Sequence, residues 1–196
     1  MKIEAILNTH VHADHRSGER ALAACTGAPI YYHRSAELEF PFTPLDDNTE
    51  ISLGNVVIRA LHTPGHTPES TAFIVTDQTR SQEPWFVLTG DTLFVGDVGR
   101  PDFGGPMAAN DLFTSLHDKL LILPDYVEVY PAHISGSPCG RAMSGKPSST
   151  IGFERRHNSA LLETNRERFV EAAAGYLPPR PVDFVSTIAL NRRGAE

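Results

Sequence analysis

Cysteine is scarce in this chain of 196 residues: Cys25 and Cys139 can form at most one disulfide, and a cysteine-rich zinc site is excluded. Positive charge is in deficit, with 17 Lys and Arg against 24 Asp and Glu for a formal charge of -7. That balance argues against a nucleic-acid partner, whose footprint is a surplus of basic side chains along one face. Aromatic residues make up only 8%. No apolar run approaches the roughly 18 residues that a membrane-spanning helix needs, so no membrane association is expected. The start, Met1 to Leu7, lacks the basic segment, long apolar stretch and cleavage site of a secretory signal. A globular chain is left, 40% hydrophobic and long enough to bury a core, with the cytoplasm as its expected location. Histidine, by contrast, is plentiful, at nine.

Ile3 to Leu7 is a nearly unbroken apolar run ending in Asn8-Thr9-His10, a buried strand that delivers a polar loop. Ser17 is placed to cap a helix through Arg20 to Cys25 that Gly27 closes, and Pro29 to His33 reads as the next strand. Ala36 to Glu50, acidic and proline-containing, suits an exposed loop. Three strands follow, at Val56–Leu61, Ser70–Val75 and Trp85–Thr89. A helix is expected from about Asn110, a strand at Val127–Tyr130, and a helix from Leu161 to Ala174. Residues 1–177 read as one catalytic domain and residues 178–196 as a proline-rich tail or linker.

The strand ends carry the chemistry. His10-Val11-His12-Ala13-Asp14-His15 has the form H-x-H-x-D-H. With each residue type at about 5% usage, four fixed positions recur by chance in such a chain on the order of one time in a thousand. Later strand ends supply His66, Asp91 and His133. Imidazole and carboxylate suit zinc, iron or manganese, and an aspartate can bridge two metals. His10, His12, His66 and Asp91 can hold one metal, with Asp14, His15, His133 and a shared Asp91 holding a second. Alternatively, His10, His66 and Asp91 alone form a face of two histidines and one carboxylate that leaves positions of Fe(II) open. The spacing does not choose between these. His33, His62, His117 and His157 read as packed, capping or exposed side chains.

The same residues, in the strings T-H-V-H-A-D-H, T-P-G-H-T, T-G-D-T and Y-P-A-H, resemble the metallo-β-lactamase superfold in the order that superfamily uses. Thr9–His15 and Gly90–Phe94 are shared by glyoxalase II-like hydrolases and persulfide dioxygenases. Val95–Phe103 resembles the persulfide dioxygenases. Ser135–Gly140 and Ser144–Asn158 are similar to their bacterial branch, often fused to rhodanese domains. The resemblance implies an α/β fold, an αββα sandwich, with one Fe(II) per chain on His10, His66 and Asp91. His12, Asp14, His15 and His133 then hydrogen-bond the ligands and the bound water, with His133 counted among the catalytic residues. The implied reaction inserts O2 into the terminal sulfur of a small persulfide such as glutathione persulfide, yielding sulfite and thiol. Zinc, or two metals serving thioester hydrolysis, is the alternative, and an inactive metal-binding remnant is a third reading. Family members carry the first strands of one sheet ahead of the metal loop, whereas Met1 lies nine residues before His10. The sandwich is therefore expected to lack those strands, with a homodimer partner or a missing rhodanese domain as possible company.

Between Tyr130 and Asn158, Arg141, Lys146, Arg155 and Arg156 outnumber Glu154 by four to one. Small-thiol persulfides carry carboxylates or phosphates that Arg forks bind well. Arg100, Arg141, Lys146 and Arg155 are therefore candidate substrate anchors, against a solvated salt-bridged surface. Cys139, close in sequence to His133, is a candidate for sulfur exchange.

Overall fold

Successive side chains of a strand point to opposite faces, so a strand that is apolar throughout has to be covered on both. Ile74 and Val87 join one buried cluster, while Phe73 and Leu88 beside them join another. A computed structural model describes residues 2–101, 105–137, 139–175, 180 and 182–194 and meets that demand with two stacked sheets between helices. Asp102, Phe103, Pro138, Pro178, Pro179 and Pro181, which the motifs and the tail above include, lie outside the described residues.

The smaller sheet is parallel, in the order β1 (Ile6–Leu7), β2 (Ile30–His33), β3 (Thr43–Leu45). The larger runs in sequence order through β4 (Glu50–Leu53), β5 (Val56–His62), β6 (Thr71–Asp77), β7 (Phe86–Gly90), β8 (Glu128–Pro131) and β9 (Ser149–Thr150). All its pairs are antiparallel except β7 with β8. A parallel pair needs a long crossover, here α2 (Gly105–Thr114) and the π-helical stretch Ser115–Leu120 that continues it. The remaining helices are α1 (Glu19–Thr26), α3 (Ile151–His157), α4 (Arg166–Gly175) and α5 (Phe184–Arg193).

Three clusters define the layers. Ile6, Ile30 and Tyr32 pack outward with Phe40, Ala23 of α1 and Ile188 of α5. Leu45, Ala60 and Phe73 meet Tyr31 and Leu88 between the sheets. Ala72, Ile74, Val87 and Val129 face Leu112, Leu116 and Phe169 of the other helices. The order helix, sheet, sheet, helix is the αββα sandwich expected.

Four local expectations are corrected. The N-cap of α1 is Gly18, without a side-chain bond; Ser17 lies one residue before it, its N–H donating to Asn191 Oδ1 at 3.0 Å and its Oγ capping nothing. Gly27 does close α1, at φ 74°. The acidic stretch 36–50 contains β3, whose Leu45 is fully buried; Pro44 is tolerated because β3 is an edge strand. The fourth helix starts at Arg166 rather than near Leu161, since Asn165 Oδ1 accepts the Arg168 N–H and caps it. The expected extended tail contains α5: Phe184, Ile188 and Asn191 fall on one helical face, and Phe184 and Asn191 are buried.

Arg155, a candidate substrate anchor, is engaged within the fold. It pairs with Asp125 and donates to the Leu121 and Leu123 carbonyls at the exit of the π-helical stretch. Arg155→Ala is expected to lower the unfolding free energy by about 1–2 kcal/mol, the ion pair itself being half-exposed and worth little. Urea denaturation measures this; unchanged stability together with a raised KM would restore the anchoring role.

Candidate metal centre

Each candidate ligand stands at the end of a strand or in a tight turn, held by bonds to its other ring nitrogen or to its backbone. His10 follows β1. Thr9 O accepts the Thr71 N–H at 2.8 Å, and Glu69 Oε1 accepts the Val11 N–H at 3.0 Å. Thr9 Oγ1 lies 2.9 Å from His10 Nδ1, leaving Nε2 for another partner. His66 sits in the turn between β5 and β6, and its Nδ1–H donates to the Arg100 carbonyl at 3.0 Å. That bond sets the tautomer in which Nε2 carries the lone pair. The turn is pinned by Ser115 Oγ, which donates to the Pro64 carbonyl at 2.7 Å. Gly65, at φ 141°, lies so close to α2 that a Cβ would be 2.5 Å from Leu112 Cα.

Asp91 follows β7 directly. His10 Nε2 is 3.7 Å and His66 Nε2 3.5 Å from its Oδ2, an atom that is buried and has no hydrogen-bond partner. Its Oδ1 accepts from His133 Nδ1 at 2.6 Å. Gly99 packs against the same residue: a Cβ there would stand 1.9 Å from the Asp91 carbonyl oxygen. His10, His66 and Asp91 are 2%, 3% and 1% exposed, and their donor atoms lie within 4.8 Å of one another. An uncompensated buried carboxylate oxygen is costly, and one facing two imidazole nitrogens suits a divalent cation. The donor set fits a metal on its own chemistry, so the site is metal-binding.

His12, Asp14, His15 and His133 form a second cluster of donors within 4.8 Å. Asp14 Oδ2 accepts from His133 Nε2 at 2.8 Å, and Asp14 Oδ1 lies 2.9 Å from His15 Nδ1. His133 thus connects Asp14 to Asp91 through its two nitrogens. Burial lowers the His133 pKa, but the Asp14 and Asp91 carboxylates outweigh it and push it up to about 12. Burial raises the Asp91 pKa, yet His10, His133 and His66 hold it below the usual carboxylate range. Burial, helped by the neighbouring imidazoles, keeps His10 well below its ordinary value and His12 at about 4, the neutral forms that ligate metals.

The remaining candidates divide. Cys139 is buried with its sulfur within 4.8 Å of donors from Asp91 and His133, and burial pushes its thiol up. Arg100 is buried beside His66. Arg141 donates from Nη1 to the Ala172 carbonyl of α4 at 3.1 Å, and Lys146 is exposed beside a separate hollow with Val95 and Phe153. The basic residues are therefore dispersed, not gathered into one anchor. His33 and His62 stack on each other at 3.6 Å, His117 stacks on Phe113 and His157 lies against Phe153, all apart from the metal clusters. Sequence reading missed Glu69 and Asn191. Glu69 lies three residues after His66, a weak signal; Asn191 is 179 residues from His12, whose carbonyl it holds, and no local pattern announces it.

With fold and site in view, the chain belongs to the metallo-beta-lactamase superfamily, whose family model matches residues 1–133. Among curated relatives it is 35% identical over 183 residues to an uncharacterised protein of Mycobacterium leprae, covering 80% of this chain and 75% of that one. A probable metallo-hydrolase of Burkholderia pseudomallei is 32% identical over 98% of this chain and 72% of its own length. The mitochondrial persulfide dioxygenase ETHE1 of Homo sapiens is 29% identical over 95% of this chain and 67% of its own length. Among solved structures, a metallo-beta-lactamase from Staphylococcus aureus superposes with a TM-score of 0.92 at 34% identity, over all of this chain and 60% of that one. ETHE1 from Myxococcus xanthus superposes with a TM-score of 0.83 at 30% identity, over 98% of this chain and 77% of that one. No helix among the described residues is long and apolar enough to cross a membrane.

Substitution separates ligands from their supports. His66→Ala and Asp91→Ala are each expected to abolish metal retention, since each removes one of three converging donors. His133→Ala is expected to keep most of the metal and lose turnover. Metal analysis after gel filtration checks this, and full metal content in either of the first two variants would contradict the assignment.

Proposed function

We propose that this chain is a non-haem Fe(II) persulfide dioxygenase, with one iron on His10, His66 and Asp91. The observation that carries this reading is the division of Asp91: Oδ2 is buried and unpartnered toward His10 and His66, while Oδ1 is taken by His133. Three donors on one face is the arrangement that leaves several positions of Fe(II) open, and the bound iron would there bring a persulfide and dioxygen together. The likeness to human persulfide dioxygenase and to ETHE1 of Myxococcus xanthus supports the same substrate class. For a low-molecular-weight persulfide RSSH the balance is RSSH + O2 + H2O giving RSH, sulfite and two protons.

The chain's own residues then have separable tasks. The Arg100 carbonyl and Thr9 Oγ1 orient the two imidazoles. His133 holds Asp91 Oδ1, and its other nitrogen reaches Asp14, which borders solvent. A proton released beside Asp91 thus has a hydrogen-bonded route outward through His133 Nδ1 and Nε2 to Asp14 Oδ2. Burial of His10, His66 and Asp91 keeps bulk water from competing for their donor atoms. Arg100, whose carbonyl holds His66, is the basic residue nearest the centre in the chain's own contacts, and its guanidinium is proposed to meet a carboxylate of a glutathione-type persulfide.

A second reading is a dinuclear thioester hydrolase. It is favoured by the donor cluster of His12, Asp14, His15 and His133 and by the likeness to the Burkholderia metallo-hydrolase. Anaerobically iron-loaded protein given glutathione persulfide is expected to consume one O2 per sulfite formed, in an oxygen-electrode assay with sulfite quantified. In that assay Arg100→Ala should raise KM about tenfold with little change in kcat, as loss of uniform binding does. Absence of oxygen uptake, with cleavage of a glutathione thioester instead, would overturn the proposal in favour of the hydrolase.

A further inference from the structure

The loop carrying His10, His12, Asp14 and His15 has no regular structure between β1 and α1, so its shape depends on the partners of its backbone groups. The half nearest β1 is held by the Thr71 N–H and the Glu69 carboxylate. Among the described residues, the backbone of the half leading to α1 takes its side-chain hydrogen bonds from Asn191. Asn191, 1% exposed near the end of α5, donates from Nδ2 to the His12 and His15 carbonyls, both at 2.8 Å. Its Oδ1 accepts the Ser17 N–H at 3.0 Å. An asparagine amide has two N–H donors and one oxygen, and here each is used on the loop. The helix is itself fixed: Phe184 is buried, Ile188 packs on the core beneath the small sheet, and the Arg192 carbonyl accepts the Glu39 N–H at 2.8 Å. The Gly194 carbonyl, just past α5, accepts from Arg20 Nη1 at 2.8 Å.

We infer that Asn191 is a positioning residue of the metal centre: through it α5 sets the stretch from His12 to Ser17 and so places Asp14 against His133. The two carbonyls it holds flank Asp14, whose carboxylate is the outer partner of His133. His133 in turn fixes the Asp91 oxygen that does not face His10 and His66. This role concerns the loop and stands apart from which metal or substrate the centre takes.

Two variants test it in the full chain. Asn191→Ala removes all three bonds. Asn191→Asp keeps the shape and the acceptor for Ser17 but sets an oxygen against two carbonyls, so it should be no better than alanine. Hydrogen exchange followed by mass spectrometry should show the peptide spanning residues 11–18 exchanging at least about tenfold faster in both variants, with β5, β6 and α2 unchanged. Anaerobic Fe(II) titration should give a Kd within about threefold of the parent protein, because the His10, His66 and Asp91 supports lie elsewhere. Turnover of Asn191→Ala with Asp14→Asn should be no lower than that of Asp14→Asn alone, since the two act through one path. Parental loop protection in either variant would overturn the inference, as would exchange raised uniformly through the chain or additive losses in the double variant. Should Asn191→Ala fail to fold, Asn191→Asp decides alone, and failure of both to fold also overturns it. The exchange and titration arms need no substrate, so absent dioxygenase activity would count against the proposed function without touching this one.

Discussion

A buried carboxylate whose two oxygens have different partners organises this molecule. Asp91 Oδ2 faces His10 and His66 without a hydrogen bond, and Oδ1 is held by His133. Left alone, the first oxygen would cost folding energy on the scale of an unmade buried hydrogen bond, about 1–3 kcal/mol or more for a charged group. What sets that oxygen apart is that it faces two imidazole nitrogens, a place where a cation would complete it. The surroundings serve the same geometry. Gly99 admits the backbone against the Asp91 carbonyl, the Arg100 carbonyl turns His66, and Glu69 holds the peptide that follows His10.

The sheet architecture explains how residues so far apart in sequence converge. β1, β7 and β8 each run into a metal-type donor, His10, Asp91 and His133, and the turn between β5 and β6 adds His66. β7 and β8 are parallel neighbours, so their ends bring Asp91 and His133 side by side. Loop 93–98, just beyond Asp91, is fastened from behind by α3. Glu154 Oε2 accepts the Gly96 N–H at 2.9 Å, and Asn158 Nδ2 donates to the Asp97 carbonyl at 3.0 Å. Asp97 Oδ2 then accepts N–H groups from Arg141 and Ala142, so the loops after Asp91 and after His133 share one anchor. Arg141 thus contributes to the centre through its backbone, as a tie between loops.

Much of this was legible in the sequence for a physical reason: metal ligation restricts residue type and spacing together. H-x-H-x-D-H after an apolar run, followed by lone His and Asp residues at later strand ends, pointed to the convergence of His10, His66, Asp91 and His133. The long strands around Phe73 and Val87 were readable because continuous apolar runs have few other solutions. What escaped were elements defined by distant partners. β3 contains Pro44 and acidic flanks, and only its docking beside β2 makes it a strand. α5 shows its apolar face in little more than Phe184 and Ile188, and its most constrained residue is a polar Asn191 whose bonds lie at the other end of the chain. The Arg and Lys residues between Tyr130 and Asn158 looked like one patch because sequence counts charges without directions. In the fold Arg155 turns to Asp125 and Arg141 to α4.

In the function proposed above, the division of Asp91 makes a centre for one metal, with His133 occupied as a bridge between carboxylates. Anaerobic titration of metal-free protein with Fe(II), followed by metal analysis of the desalted product, tests it most directly. Saturation at one iron per chain is expected, with Asp14→Asn leaving that stoichiometry unchanged. Saturation at two irons per chain, falling to one in Asp14→Asn, would contradict it and make Asp91 a bridging ligand.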